Sequence, residues 1–131
     1  MTVHRTLTPP GWRRGKGYSH GVAAEGKLVF VAGQVGWNDK QQFTSDDFVD
    51  QFRQALQNTC AVLTEGGAGP EHIVRMTWFV TDKKEYLSRL TEVGTVYREI
   101  MGKNYPAMAV VVVKGLIEDG AKVEIETTAV V

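Results

Sequence analysis

The chain reads as an α+β protein, a two-layer ββαβαββ sandwich in which two helices lie on one face of a mixed sheet. Two stretches, 48–63 and 86–101, carry apolar residues at steps of three and four, and each sits between stretches rich in β-branched and aromatic residues. The run 104–131, NYPAMAVVVVKGLIEDGAKVEIETTAVV, contains a strand at 107–113 that is apolar on both faces and an alternating strand at 123–129. Apolar residues make up 43% and charged residues 23%, which excludes wholesale disorder and fibrous repeats. A length of 131 residues suits one domain spanning 1–131.

The elements follow in order. Pro9-Pro10 with Gly11, Gly15 and Gly17 make 1–17 an irregular arm. A short strand over 18–24, a tight turn at Glu25-Gly26 and a strand over 27–33 form an opening hairpin. After a polar loop, Thr44 or Ser45 caps the first helix, with Asp46 and Asp47 in its first turn where they complement the dipole, and Gly66-Gly67 stop it. A turn at Gly69-Pro70 leads into the strand IVRMTWFVT. Asp82 and Glu85 have the spacing of a capping box for the second helix, which Gly102 ends and Pro106 keeps from resuming. The last two strands then pair as a hairpin through LIEDG.

Two helices cover only one face of a sheet. The doubly apolar strand at 107–113 therefore leaves a hydrophobic patch that a monomer should not expose, and a homo-oligomer is expected. Lysine plus arginine equals aspartate plus glutamate at 15 each, so no global field draws the chain to nucleic acid or acidic membranes. Only the RGK at 14–16 offers a local basic patch. Cys60 is the sole cysteine, no run of about 20 apolar residues spans a bilayer, and the N-terminus lacks a secretory pattern; together these point to the cytoplasm.

Residues able to carry chemistry are few. Glu124 and Glu126 project from one strand face, where a subunit contact enclosing Glu124 would raise its pKa and make it a proton shuttle or water activator. On spacing alone, a solvated strand face is the commoner reading of the pattern. Tyr18, Ser19 and His20 follow a glycine-rich approach; a lone histidine is more often a hydrogen-bonded surface group, and His4 and His72 are weaker still. Cys60 lies among apolar helix positions as a structural thiol. Trp12, Trp37 and Trp78 offer stacking surfaces, for which packing is the ordinary use. No histidine, cysteine and carboxylate set has metal-ligand spacing, and no phosphate loop is present, so neither metal nor cofactor is expected.

Several fragments taken together, GYSHGV, LVFVAGQVGWN, QALQNTCAVLTEGGAG, HIVRMTWFVTD, NYPAMAVVVVKGL and GAKVEIETTAV, resemble the Rid family (YjgF/YER057c/UK114) across residues 18–130. The resemblance implies a chorismate-mutase-like fold and a homotrimer with clefts between subunits. It also implies a small-molecule substrate, by analogy with members that hydrolyse imines and enamines to a keto acid and ammonia. It places Tyr18 on a pocket tyrosine, Gly33 on a glycine lining the cleft and Glu124 on a glutamate that positions water. Where the family's carboxylate-gripping arginine follows Pro-Ala, this chain has Met108, and Ala32 replaces a small polar residue. Methionine offers none of arginine's bidentate recognition. The expectation is therefore a cleft with Tyr18, Met108, Trp37 and one carboxylate that handles a less acidic or bulkier imine than 2-aminoacrylate. A non-catalytic binding or regulatory trimer is the alternative, and an RNA-directed ribonuclease or translation inhibitor a weaker one.

Overall fold

Alternation along the C-terminal strand decides which side of the sheet is dry. The computed structural model describes residues 2–131, with strands β1 (Arg5–Leu7), β2 (Gly21–Ala23) and β3 (Leu28–Val35), helix α1 (Phe48–Glu65), strand β4 (Ile73–Val80), helices α2 (Lys83–Ser88) and α3 (Leu90–Met101), and strands β5 (Ala107–Val112) and β6 (Val123–Val130). Four strands form a sheet in the order β3-β6-β4-β5, with β6 antiparallel to both neighbours and β4 parallel to β5. β6 turns Val123, Ile125, Thr127 and Ala129 inward, none more than 1% exposed. Across from them α1 buries Phe48, Phe52, Ala55, Leu56 and Leu63, and α3 buries Val93, Val96, Tyr97 and Met101. The two-layer α+β arrangement, with its main helices on one face of a mixed sheet, is as the residue pattern predicts.

The pairing differs from expectation in three places. Between β5 and β6 lies β4, so the C-terminal hairpin does not form. The connection through α2 and α3 makes β4 and β5 a parallel crossover pair, with Arg75 to Val80 in register with Ala107 to Val112, and β6 takes the other side of β4. Second, β2 pairs with β1 and not with β3, so the opening hairpin is absent and the arm at 1–17 contains a strand. The arm is held by the His4 ring, whose Nε2 bonds the carbonyls of Val130 (2.8 Å) and His72 (3.1 Å), and by Val3 N–H donating to Glu71 O. Third, the second helix breaks at Arg89, whose guanidinium pairs with both Asp47 (2.6 Å) and Glu92 (2.7 Å).

Capping follows the same logic. Asp47, not Thr44 or Ser45, caps α1 by accepting from Asp50 N–H at 3.1 Å, while Ser45 Oγ accepts from Asp47 N–H and donates to Asp50. Asp82 caps α2 by accepting from Glu85 N–H. Gln51, 1% exposed, ties α1 to the chain entering β6: its Nε2 donates to Ser45 O (3.1 Å) and Gly120 O (2.8 Å), and its Oε1 accepts from Lys122 N–H (2.8 Å). Cys60 is half-buried with Sγ 3.6 Å from Met101 Sδ, and burial pushes its thiol pKa up, as befits a packing residue. No described helix is long and apolar enough to cross a membrane.

The face away from the helices exposes large apolar side chains. Leu28 and Phe30 on β3 are 58% and 71% exposed, and Val111 on β5 is 38% exposed.

Candidate functional site

Two separate features could receive a ligand, one on each face of the sheet. On the uncovered face, β6 points Glu124 and Glu126 outward because their neighbours Val123 and Ile125 are wholly buried. Glu124 lies in register with Val35 of β3 and Phe79 of β4. Beside it the β3 pairing slips between Val31 and Gln34, the irregular step that holds Ala32 and Gly33, both exposed.

Gly33 is what allows the carboxylate to settle there. A Cβ built on residue 33 would lie 2.6 Å from Glu124 Oε2 and 2.8 Å from its Cδ, so any side chain would displace it. Among the described residues no side-chain hydrogen bond or ion pair engages the Glu124 carboxylate. It is half-buried against backbone and free to hold a water.

The other expected residues lie elsewhere. Met108 is in register with Met76, which is wholly buried, and packs against the core on the helix side. Met108 and Glu124 thus face opposite sides of the sheet, on strands separated by β4, roughly 10 Å apart at the usual strand spacing. A cleft uniting them does not exist within one chain. Tyr18 sits at the β5 edge: the next residue, Ser19, bridges to Ala107, donates its N–H to Pro106 O (2.9 Å) and its hydroxyl to Tyr105 O (2.5 Å). The Tyr18 ring is 38% exposed and meets His20 edge-on at 5.4 Å, and His20 Nε2 bonds Arg13 O. Trp37 is half-buried in the loop before α1, its ring 5.7 Å from Phe43 and its carbonyl held by Asn58. Ala32, Gly33 and Glu124 come together; Tyr18 and Met108 share the opposite edge, and Trp37 packs a loop.

The second feature was not singled out from sequence. Beneath Met108 a cavity of about 200 Å³ opens between β5, α3 and the arm, walled by Trp78, Tyr97 and Tyr105, with Lys16 and Arg98 at its polar side. Burial pushes the Tyr86 and Tyr97 phenols up, so both keep their protons, and Tyr97 spends its hydroxyl on Asn104 O. The one available sequence signal is Gly94 in the middle of an amphipathic helix.

Comparison with known proteins agrees with this architecture. A family model described as Endoribonuclease L-PSP matches residues 13–131. A RutC family protein of Aquifex aeolicus is 37% identical over 114 residues, covering 86% of this chain and 87% of that one. A human protein named 2-iminobutanoate/2-iminopropanoate deaminase is 26% identical over 114 residues, covering 86% of this chain and 79% of its own length. Among solved structures, the Rid-family protein YyfB of Yersinia pestis superposes with a TM-score of 0.84 at 28% identity and covers 98% of each chain.

Proposed function

Since the chain belongs to the Endoribonuclease L-PSP family, the Rid or YjgF/YER057c/UK114 group of its solved relatives, we propose that it hydrolyses an imine or enamine in a cleft between subunits. The observation that carries this reading is the Glu124 carboxylate, half-buried over Gly33 and, among the described residues, engaged by no other side chain. Such a group accepts a proton from water as the oxygen attacks the C=N carbon, and the imine nitrogen takes up a proton to give a carbinolamine. Glu124 then gives that proton to the carbinolamine nitrogen and takes the hydroxyl proton as the C–N bond breaks and the carbonyl forms; a carbonyl compound and ammonia leave, and the carboxyl returns its proton to solvent. The name of the human relative supports the reaction class.

Because Glu124 and Met108 lie on opposite faces, the complete cleft takes residues from two copies: Ala32, Gly33 and Glu124 of one, and the Tyr18 and Met108 edge of the next. The exposed Leu28, Phe30 and Val111 favour a trimer closing over that face. With methionine at 108, a charge-assisted contact of about 1.5–3 kcal/mol per hydrogen bond is missing, so 2-aminoacrylate is a poor substrate for this paralogue.

The test is a coupled assay that generates imines in situ from a panel of amino acids, reading ammonia release by wild type and Glu124→Ala. Faster release with the wild type and its loss in the variant support the proposal. Equal rates for both would end it, and saturable binding without turnover would instead identify a ligand-binding trimer.

A further inference from the structure

We infer that the cavity beneath Met108 binds a small aryl carboxylate, with its ring among Trp78, Tyr97 and Tyr105 and its anionic end at Lys16 and Arg98. The cavity lies on the helix side of the sheet, the opposite face from Glu124 of the same chain, so the inference goes beyond the imine reading and does not rest on it.

Charge is the first argument. Lys16 and Arg98 both line the cavity, no acidic side chain does, and among the described residues neither cation has a carboxylate within ion-pair distance. Burial keeps the Tyr86 and Tyr97 hydroxyls protonated, so they do not offset the positive charge. An anion is the complementary guest.

Shape is the second. The Trp78 and Tyr97 rings lie 5.9 Å apart, and Tyr105 stacks on Tyr97 at 5.6 Å and 15°, so three aromatic walls are contiguous. Apolar cavities of about 150 Å³ are known to hold benzene; about 200 Å³ admits a ring with a short acidic arm. Trp78, 4% exposed, supplies a buried aromatic wall.

The third is Gly94. A glycine inside a helix costs about 1 kcal/mol relative to alanine, and this one lacks the positive φ that would require it. Its missing side chain leaves room instead: a Cβ there would come within 3.2 Å of a guanidinium nitrogen of Arg98, one turn on. Gly94 keeps the wall open and lets Arg98 lie along α3 toward the cavity.

Isothermal titration of the full chain with 3-phenylpropanoate tests this, against the neutral 3-phenylpropanamide and the straight-chain hexanoate. We expect the amide, hexanoate and the Lys16→Met/Arg98→Met double variant each to weaken binding at least about tenfold, or about 1.4 kcal/mol. Gly94→Leu should abolish binding. Binding of the amide as tightly as the acid, native binding by the double variant, or no binding of 3-phenylpropanoate would overturn the inference. The double variant alters exposed residues and keeps the test decisive even should Gly94→Leu misfold. Binding with no imine turnover would fell the hydrolase reading alone.

Discussion

Replacing Gln51 by leucine probes how the helix layer holds the strand that bears Glu124. Three hydrogen bonds vanish: two from Nε2, to Ser45 O and Gly120 O, and one from Lys122 N–H to Oε1. At about 1 kcal/mol each the loss is about 3 kcal/mol, and the orphaned peptide groups outweigh what the added apolar surface returns. Urea unfolding should show a lower midpoint at unchanged slope, with Tm down by about 10 °C for a chain of this size. Gln51→Glu sharpens the test. Burial raises the folded pKa of the new carboxyl above its unfolded value, so the protonated variant is stable at acidic pH and loses stability as pH rises through that raised value. It should therefore be less stable at neutral than at mildly acidic pH relative to wild type. A leucine variant within about 0.5 kcal/mol of wild type, the range of ordinary surface changes, would refute the clamp.

Other consequences are as direct. Gly33→Ala should leave thermal stability nearly unchanged, because only a flexible carboxylate must move, yet cut imine turnover about 100-fold; undiminished kcat/KM would contradict the placement of Glu124. Thr127→Val should raise stability by about 1 kcal/mol, since the Thr127 hydroxyl is buried without a partner, and calorimetry reads the change. Hydrogen bonds from Arg89 and from Asp50 N–H hold the Asp47 carboxyl below its ordinary 3.8. Its stabilising effect is thus present above that pH and lost as pH falls below it, and Asp47→Asn should flatten acid unfolding in that window while keeping the cap. Phe30→Glu should dissociate the proposed trimer, and sedimentation of wild type as a monomer at micromolar concentration would remove the shared cleft.

What could be read from the residues was what depends on periodicity. The inward set on β6, the buried stripe of α1 and the stops at Gly66 and Gly102 follow from steps of two or of three and four. Strand partners did not follow, because β5 is as apolar as a central strand yet lies at an edge, and hydrophobicity does not say which neighbour a strand takes. The break at Arg89 depends on Asp47, 42 residues away, which no local pattern reveals. At the site, Glu124 and Gly33 were legible as residues, and their contact follows from a slip in pairing that only coordinates show. Met108 was legible as a substitution, but its cavity was not: Lys16 and Arg98 meet there from distant segments.

The strand order carries a further consequence for biosynthesis. β6 joins β3 to β4, yet its residues emerge from the ribosome after all the others. Until they do, β3 lacks its sheet neighbour and stands apart from the parallel β4–β5 pair, with the slot between them open. Vectorial synthesis thus leaves the apolar interior unsealed until β6 arrives, and its late closure is the step that commits the fold to the native state.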